Sequence, residues 1–268
     1  MELNYKGLQD RTAWEKAGVA LPGFDWEKMC RTTENTPVWA HFGAGNIFRG
    51  FIADLQQTLL EDGSETSGIV AADTFDFDII DKIYTPYDNM TLMVGLKPDG
   101  STDKKVIASI ARGLRADSKD SSQWNELKKI FVNPALQMVS FTITEKGYSL
   151  RTMTGEISSI ALKDMEEGPA APVHAMGVAA ALLYERYKAG GAPVAMVSMD
   201  NCSHNGEKLK AGVAEITNAW VEKGLVEKEF LAYLEDEERV AFPWSMIDKI
   251  TPRPAKEIEE QLENLGIK

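Results

Sequence analysis

The sequence holds 268 residues, 44% hydrophobic and 26% charged, a balance typical of globular chains and sufficient for one large domain or two small ones. A formal net charge of -12 sets the surface against nucleic acid and anionic lipid, because like charges repel over a Debye length of ~10 Å, and directs attention to small-molecule partners. Cys30 and Cys202 are the two cysteines, too few for a disulfide framework; no apolar run approaches the roughly 20 residues of a membrane span, and the opening Met1 to Lys6 lacks the order of a secretion signal, so a cytoplasmic location is expected.

Residues 1–36 read as a polar, irregular lead-in, punctuated by Leu21-Pro22-Gly23 and by Thr36-Pro37. The first convincing strand is Val38 to Phe42. It runs into Gly43-Ala44-Gly45, after which Ile47, Phe48, Phe51, Ile52, Leu55 and Leu59 recur at helical spacing up to Asp62-Gly63. A second strand, Gly68 to Ala72, closes on Asp73. Strand, glycine turn, helix and strand in this order are the sequence form of a βαβ crossover in a parallel sheet. Between Thr91 and Leu114 two β-prone runs flank Lys97-Pro98-Asp99-Gly100, which predicts a hairpin inserted at the surface. Alternation resumes with a helix near Gln123 to Phe131, a strand over Gln137 to Thr144, an alanine-rich helix from Val173 to Tyr187 and a strand over Pro193 to Met199. A further helix follows Asn205-Gly206, with Leu209, Val213, Ile216 and Trp220 on one face. Residues 253–268 read as a charged tail, extended or mobile like the lead-in, or as the start of a further domain.

Gly43-Ala44-Gly45 stands where a dinucleotide fold needs it: the first glycine permits a tight turn, and the second lets a pyrophosphate approach the positive end of the helix. A plain strand-to-helix turn is the competing reading, since Phe48 replaces the third glycine of the common fingerprint. Arg49 can serve as a bidentate phosphate donor or stand as a solvated helix residue. Asp73 ends the second strand where such folds place the acid that accepts from the adenosine ribose; it also repels a 2′-phosphate, and no arginine follows in Thr74, Phe75 and Asp76, so NAD is favoured over NADP. A strand-terminal aspartate without that role is the alternative. Thr144 and Glu145, in the turn Thr144-Glu145-Lys146-Gly147-Tyr148, lie at the carboxyl edge where α/β ligands bind and can face the nicotinamide, or form a solvated loop. Asn201, in Ser198 to Gly206, can direct amide N–H groups at a developing alkoxide, or serve as an Asx-turn residue. His41 reads as a packed core side chain. His204 lies in a candidate active-site loop, without the paired ligands of a metal centre.

Taken in order, His41-Phe42-Gly43-Ala44-Gly45-Asn46-Ile47-Phe48-Arg49-Gly50, Thr144 to Tyr148, Ser198 to Gly206, and Phe242-Pro243 through Asp248 to Thr251-Pro252 resemble the mannitol dehydrogenase family of polyol-specific long-chain dehydrogenases, which includes fructuronate reductases. The resemblance implies a Rossmann-type α/β domain over 37–252, with a largely parallel sheet, helices on both faces and a hairpin insertion. It implies NAD-dependent interconversion of a secondary alcohol and a ketone on a hexitol or hexonate, with mannonate and fructuronate ahead of mannitol and fructose. The cofactor residues on this reading are Phe42, Gly43, Ala44, Gly45, Asn46, Ile47, Phe48, Arg49, Asp73, Thr144 and Glu145. Asn201 becomes an oxyanion donor, Lys146 and Asp248 stand near the substrate, and no metal takes part.

Two departures accompany the resemblance. Trp244 replaces the Asn of the Phe-Pro-Asn pattern, which leaves substrate identity open. The family's catalytic base is a lysine in a C-terminal helical domain, in a Lys-x4-Asn-x2-His motif, and no histidine follows His204. These 268 residues are expected to lack that domain, and the expectation is cofactor binding without turnover unless a C-terminal domain or complementing chain supplies the base. A non-catalytic NAD-binding module, or one half of a split enzyme, is the alternative. An S-adenosylmethionine methyltransferase shares the glycine turn and the acid, but the Asn201 loop and Phe242 to Pro252 argue against it.

Overall fold

In the computed structural model, residues 1–252 and 256–267 are described. The elements run α1 (Arg11–Lys16), β1 (Val19–Ala20), α2 (Trp26–Asn35), β2 (Trp39–Phe42), a π-helical turn (Phe48–Ile52) leading into α3 (Ala53–Glu61), β3 (Ile69–Asp73), α4 (Phe77–Ile79), β4 (Thr91–Leu96), β5 (Thr102–Ile107) and β6 (Ile110–Arg115). There follow α5 (Ser121–Val132), β7 (Met138–Phe141), α6 (Thr144–Tyr148), α7 (Ser159–Glu167), α8 (Ala175–Lys188), β8 (Val194–Ser198), α9 (Asn205–Glu222), α10 (Glu229–Glu235), β9 (Val240–Ala241) and α11 (Lys256–Asn264).

The main sheet has six strands in the order β6-β3-β2-β7-β8-β9, and each neighbouring pair is parallel. After β2 the chain builds outward to β3 and β6, then returns to place β7 on the other side of β2. The strand order therefore reverses between β2 and β7, the position at which sheets of this topology form a ligand crevice outside the carboxyl ends of the strands. Side-chain alternation explains why both faces are covered: along β3, Ile69 and Ala71 pack with Phe48, Ile52, Ile80 and Ile110, while Val70 and Ala72 pack with Leu127, Phe131, Leu182 and Val213 on the opposite face. Alanines in α8 let this helix lie buried among the sheet and its neighbours, with Ala179, Ala180 and Ala181 at most 1% exposed. No described helix is long and apolar enough to cross a membrane.

The lead-in departs from the sequence reading. Instead of an irregular segment, residues 1–36 hold α1, β1 and α2, and β1 pairs with β5. Trp14 is 0% exposed and packs with Leu8, Val19, Met90 and Val106 in a third apolar cluster. The hairpin of β4 and β5 is antiparallel, as its turn sequence implies, but the residues that follow form β6, an edge strand of the main sheet. The tail is also structured: α11 spans Lys256–Asn264, and Ile267 is buried in the third cluster. The expectation for residues 253–255 and 268 lies outside the described residues.

Candidate cofactor cleft at the carboxyl edge

The β2 turn is shaped by a close backbone approach. Gly43 has φ +106°, and a Cβ there would stand 2.1 Å from the Thr142 carbonyl oxygen, so both conformation and space demand glycine. Gly45 differs: nothing lies within 4 Å of where its Cβ would stand, and its φ is not positive. Its smallness meets no requirement of the protein's own packing and leaves room at the start of the following helix. The adjoining Ala44 is fixed from two sides, its N–H donating to Asp73 Oδ2 at 3.0 Å and its carbonyl accepting from the Tyr84 hydroxyl at 3.0 Å.

A line of hydrogen bonds runs beneath this turn, and its donors settle the tautomer of His41. Trp39 Nε1 donates to Ser140 Oγ at 2.6 Å, and Thr142 Oγ1 donates to the Gly43 carbonyl at 3.1 Å. His41 bridges them, Nδ1 at 2.6 Å from Ser140 Oγ and Nε2 at 2.9 Å from Thr142 Oγ1. With the Thr142 hydrogen committed to Gly43, Nε2 carries the imidazole proton and Nδ1 accepts from Ser140. His41 is completely buried and stacked on Phe48, with ring centroids 4.0 Å apart, and burial pushes its pKa from 6.5 down to about 3. The core reading of His41 thus holds.

This burial has a sign for acid stability. Between these two values the unfolded chain binds a proton that the folded chain refuses, so the His41 contribution is intact above pH 6.5 and is lost as pH falls from there toward 3. Its slope approaches about 1.4 kcal/mol per pH unit. Urea unfolding from pH 7.5 to 4 is expected to give a shallower acid limb for His41→Gln than for the parent. Parallel limbs would show that His41 titrates normally in the folded chain.

Asp73 reaches the glycine turn as the sequence reading requires, but its carboxylate is already occupied by backbone. Besides Ala44, the N–H groups of Phe75 and Asp76 donate to Oδ1, each at 2.9 Å. A carboxylate offers about four acceptor positions, so one is left for a ligand hydroxyl. Arg49 is half-buried; its Nη2 donates to Asn46 Oδ1, while Nε is buried without a partner. Burial lowers its pKa, and among the described residues no carboxylate pairs with it. An unpaired guanidinium beside the glycine turn is suited to an anion. Phe48 is buried, Ile47 is half-buried and Asn46 is exposed.

On the other side of the crevice the ends of β7 and β8 are tied together. Asp200 Oδ2 accepts from the Ile143 N–H at 2.9 Å and the Tyr148 hydroxyl at 2.5 Å, and Oδ1 accepts from the Thr144 N–H at 2.9 Å. Thr144 is left-handed, at φ +64°. Glu145 is exposed and paired with Lys208, whereas Lys146 is exposed and joins no ion pair among the described residues. Burial raises the pKa of Asp200, opposed by its hydrogen bonds to Tyr148, Ile143 and Thr144.

Asn201 and Asp248 are brought together. Asn201 Nδ2 donates to the Lys249 carbonyl at 2.9 Å, and its Oδ1 accepts from the Asp248 N–H at 2.9 Å. One Nδ2 hydrogen is left beyond those bonds. The segment that carries Asp248 crosses the carboxyl edge as a strap, secured further by buried Asn205. The Asn205 amide donates to the carbonyls of Ser198, Asp200 and Ser245 and accepts from the N–H groups of Gly206 and Ser245. Trp244 lies on this strap, 56% exposed, with its ring 4.4 Å from that of His204. Asp200 and Asn205 have no role in the sequence reading; their presence in an Asp-Asn and His-Asn-Gly loop signals turn chemistry, but not which distant segments they secure. Among the described residues, no group of three or more His, Cys, Asp or Glu side chains is disposed to hold a metal ion.

A family model described as the mannitol dehydrogenase Rossmann domain matches residues 39–265. The D-mannonate oxidoreductase of Thermotoga maritima is 51% identical over 267 residues, covering 100% of this chain and 49% of that protein. The D-mannonate oxidoreductase of Escherichia coli is 27% identical over 93% of this chain and 49% of its own length. Among solved structures, the Pseudomonas fluorescens mannitol 2-dehydrogenase, in a ternary complex with NAD and D-mannitol, is 25% identical. The alignment covers 100% of this chain and 51% of the other, with a TM-score of 0.79. The chain spans about half the length of the curated relatives it matches. With that match running from β2 to just beyond α11, the chain belongs to the mannitol dehydrogenase family, and its parallel sheet is the core of the family's Rossmann domain.

Proposed function

We propose that the chain is the NAD-binding half of a polyol or sugar-acid dehydrogenase, with D-mannonate and fructuronate as the favoured substrate pair. The observation that carries the reading is the contrast between Gly43, forced by the fold, and Gly45, whose side facing the helix start meets no protein atom within 4 Å of a Cβ and so leaves that approach open to a pyrophosphate. The Arg49 guanidinium supports it, since its Nε has no partner and it pairs with no carboxylate among the described residues. The 51% identity to a D-mannonate oxidoreductase favours the hexonate over a hexitol. When bound, NAD supplies the hydride acceptor at the carbon bearing the alcohol. Around it, Phe42 to Arg49 and Asp73 hold the adenosine and pyrophosphate portion, while Thr144 and Glu145 border the nicotinamide end. Asn201 offers its remaining N–H to the substrate oxygen, and Lys146 and Asp248 lie beside the substrate. The base that removes the alcohol proton belongs to a C-terminal domain or complementing chain.

Nicotinamide fluorescence titration tests the cofactor assignment. NADH is expected to bind at least about tenfold tighter than NADPH, because a 2′-phosphate would meet the Asp73 carboxylate, and Thr74 to Asp78 contain no cation to offset it. Asp73→Ala should narrow the ratio. It should also weaken both ligands somewhat, since Ala44, Phe75 and Asp76 lose their shared acceptor. Equal or tighter binding of NADPH by the parent would reject the Asp73 assignment.

A further inference from the structure

We propose that Asp200 is a positioning residue that fixes the nicotinamide end of the cleft, an inference that rests on the NAD reading above. Its carboxylate is the single acceptor shared by two consecutive backbone amides of the β7 turn and by Tyr148 at the end of α6. Those partners lie 52 to 57 positions away in the chain. The carboxylate thus clamps the end of β8 onto the turn, adding to the Thr142 bond to the Phe42 carbonyl, the Tyr148 contact with Ser198 and the Glu145–Lys208 pair. It alone takes the two amides at Ile143 and Thr144. The clamp is needed because Thr144, a β-branched residue, is held at φ +64°, a conformation such side chains rarely adopt. The next residue, Asn201, takes the strap at Asp248 and Lys249. Asp200 and Asn201 therefore set three segments at once: the Thr144-Glu145 turn, the β8 edge and the strap.

No lysine or arginine is paired with Asp200 among the described residues, and three hydrogen-bond donors converge on its two oxygens. That makes a group with an acceptor at both positions, and not merely its volume, the required one. An asparagine of equal size would turn an NH2 toward one of the two amide donors and leave that N–H without an acceptor. The Thr144 turn would then relax, while the Gly43 and Asp73 side of the crevice, built on β2 and β3, would keep its own hydrogen bonds.

The test measures NADH and ADP-ribose binding to the full chain, since ADP-ribose occupies the adenosine and pyrophosphate portion of the cleft but lacks the nicotinamide. For Asp200→Asn the expected result is a loss of NADH affinity of about tenfold or more, with ADP-ribose affinity within about twofold of the parent. Tyr148→Phe removes one donor and keeps both amide bonds, so it should shift the same ratio in the same direction by less; it decides the matter if Asp200→Asn does not fold. Equal losses for both ligands would show a merely structural role and overturn the proposal, as would unchanged NADH affinity in both variants. If the parent chain binds neither NADH nor ADP-ribose, the NAD reading itself fails and the Asp200 role fails with it.

Discussion

Gly43→Ala is expected to destabilise the fold by about 3 to 5 kcal/mol, combining a strained φ with overpacking, whereas Gly45→Val should leave thermal stability near that of the parent. The first substitution drives a methyl group to 2.1 Å from the Thr142 carbonyl at a φ of +106°. Relief requires β2 and β7 to separate where Thr142 N–H donates to the Phe42 carbonyl at 2.8 Å. The second meets no protein atom within 4 Å at Cβ. Its cost should fall on the ligand, with NADH affinity lower by on the order of a hundredfold as the side chain holds the pyrophosphate away from the helix amides. Thermal unfolding and NADH titration of both variants check the contrast. A Gly45→Val protein that loses stability but keeps its affinity would reduce the glycine turn to a structural feature.

Asn201→Ala carries the second large effect, and it is visible only when the base is present. The chain alone should turn over neither mannonate nor mannitol at a useful rate, because an amide N–H can stabilise an alkoxide but cannot take up its proton. Joined to, or mixed with, a family C-terminal domain that carries the lysine motif, it should gain activity. In that restored enzyme, Asn201→Ala should lower kcat by roughly 10² to 10³ if the free Nδ2 hydrogen is one oxyanion donor. KM should change less, since the interaction strengthens as charge develops. The geometry adds a second cost: the Asp248 N–H and Lys249 carbonyl lose their side-chain partner, so part of the loss should appear as a looser strap. Strong turnover by the isolated 268 residues would refute the missing-base argument, and an unchanged rate in Asn201→Ala would remove that residue from the mechanism.

The sequence made legible what depends on local pattern. β2, β3, β7 and β8 are short apolar runs ended by glycine or polar turns, and α9 displays its buried Leu209, Val213, Ile216 and Trp220 at helical spacing. The lead-in escaped because its buried residues follow no single period: Leu8, Trp14 and Val19 come from a short turn, a short helix and a two-residue strand. An available signal there was Asp25, whose side chain caps α2 by accepting from the Lys28 N–H. At the candidate site, what was legible is the placement of the glycines after β2 and of Asp73 at the end of β3, because each directly follows an apolar run. Asp200 and Asn205 were not, because each acts on backbone far along the chain, Asp200 across 57 positions to Ile143 and Asn205 across 40 to Ser245. A lone polar residue does not announce such partners. Even Asp73, found at its expected place, has three backbone donors that no one-dimensional pattern displays.

The line of hydrogen bonds from Trp39 to the Gly43 carbonyl also bears on the order in which the molecule assembles. Its links join residues 99 to 101 positions apart, so none of them can form until β7 has been synthesised and has found β2. Loop closure over such a span costs entropy before any contact offsets it, and parallel strands paired at long range form late and slowly. Glycine reaches this conformation freely, and β3 and Tyr84 hold part of the turn, but the Thr142 bond to the Gly43 carbonyl is made only in chains whose central strands have already docked. A nascent chain that has emitted β2, α3 and β3 carries the motif without the site, and a dinucleotide would find nothing to grip there. Ligand added during refolding should accordingly leave the rate of β2–β7 docking unchanged and slow only the reverse step, acting as a latch on a structure that reached its form without it.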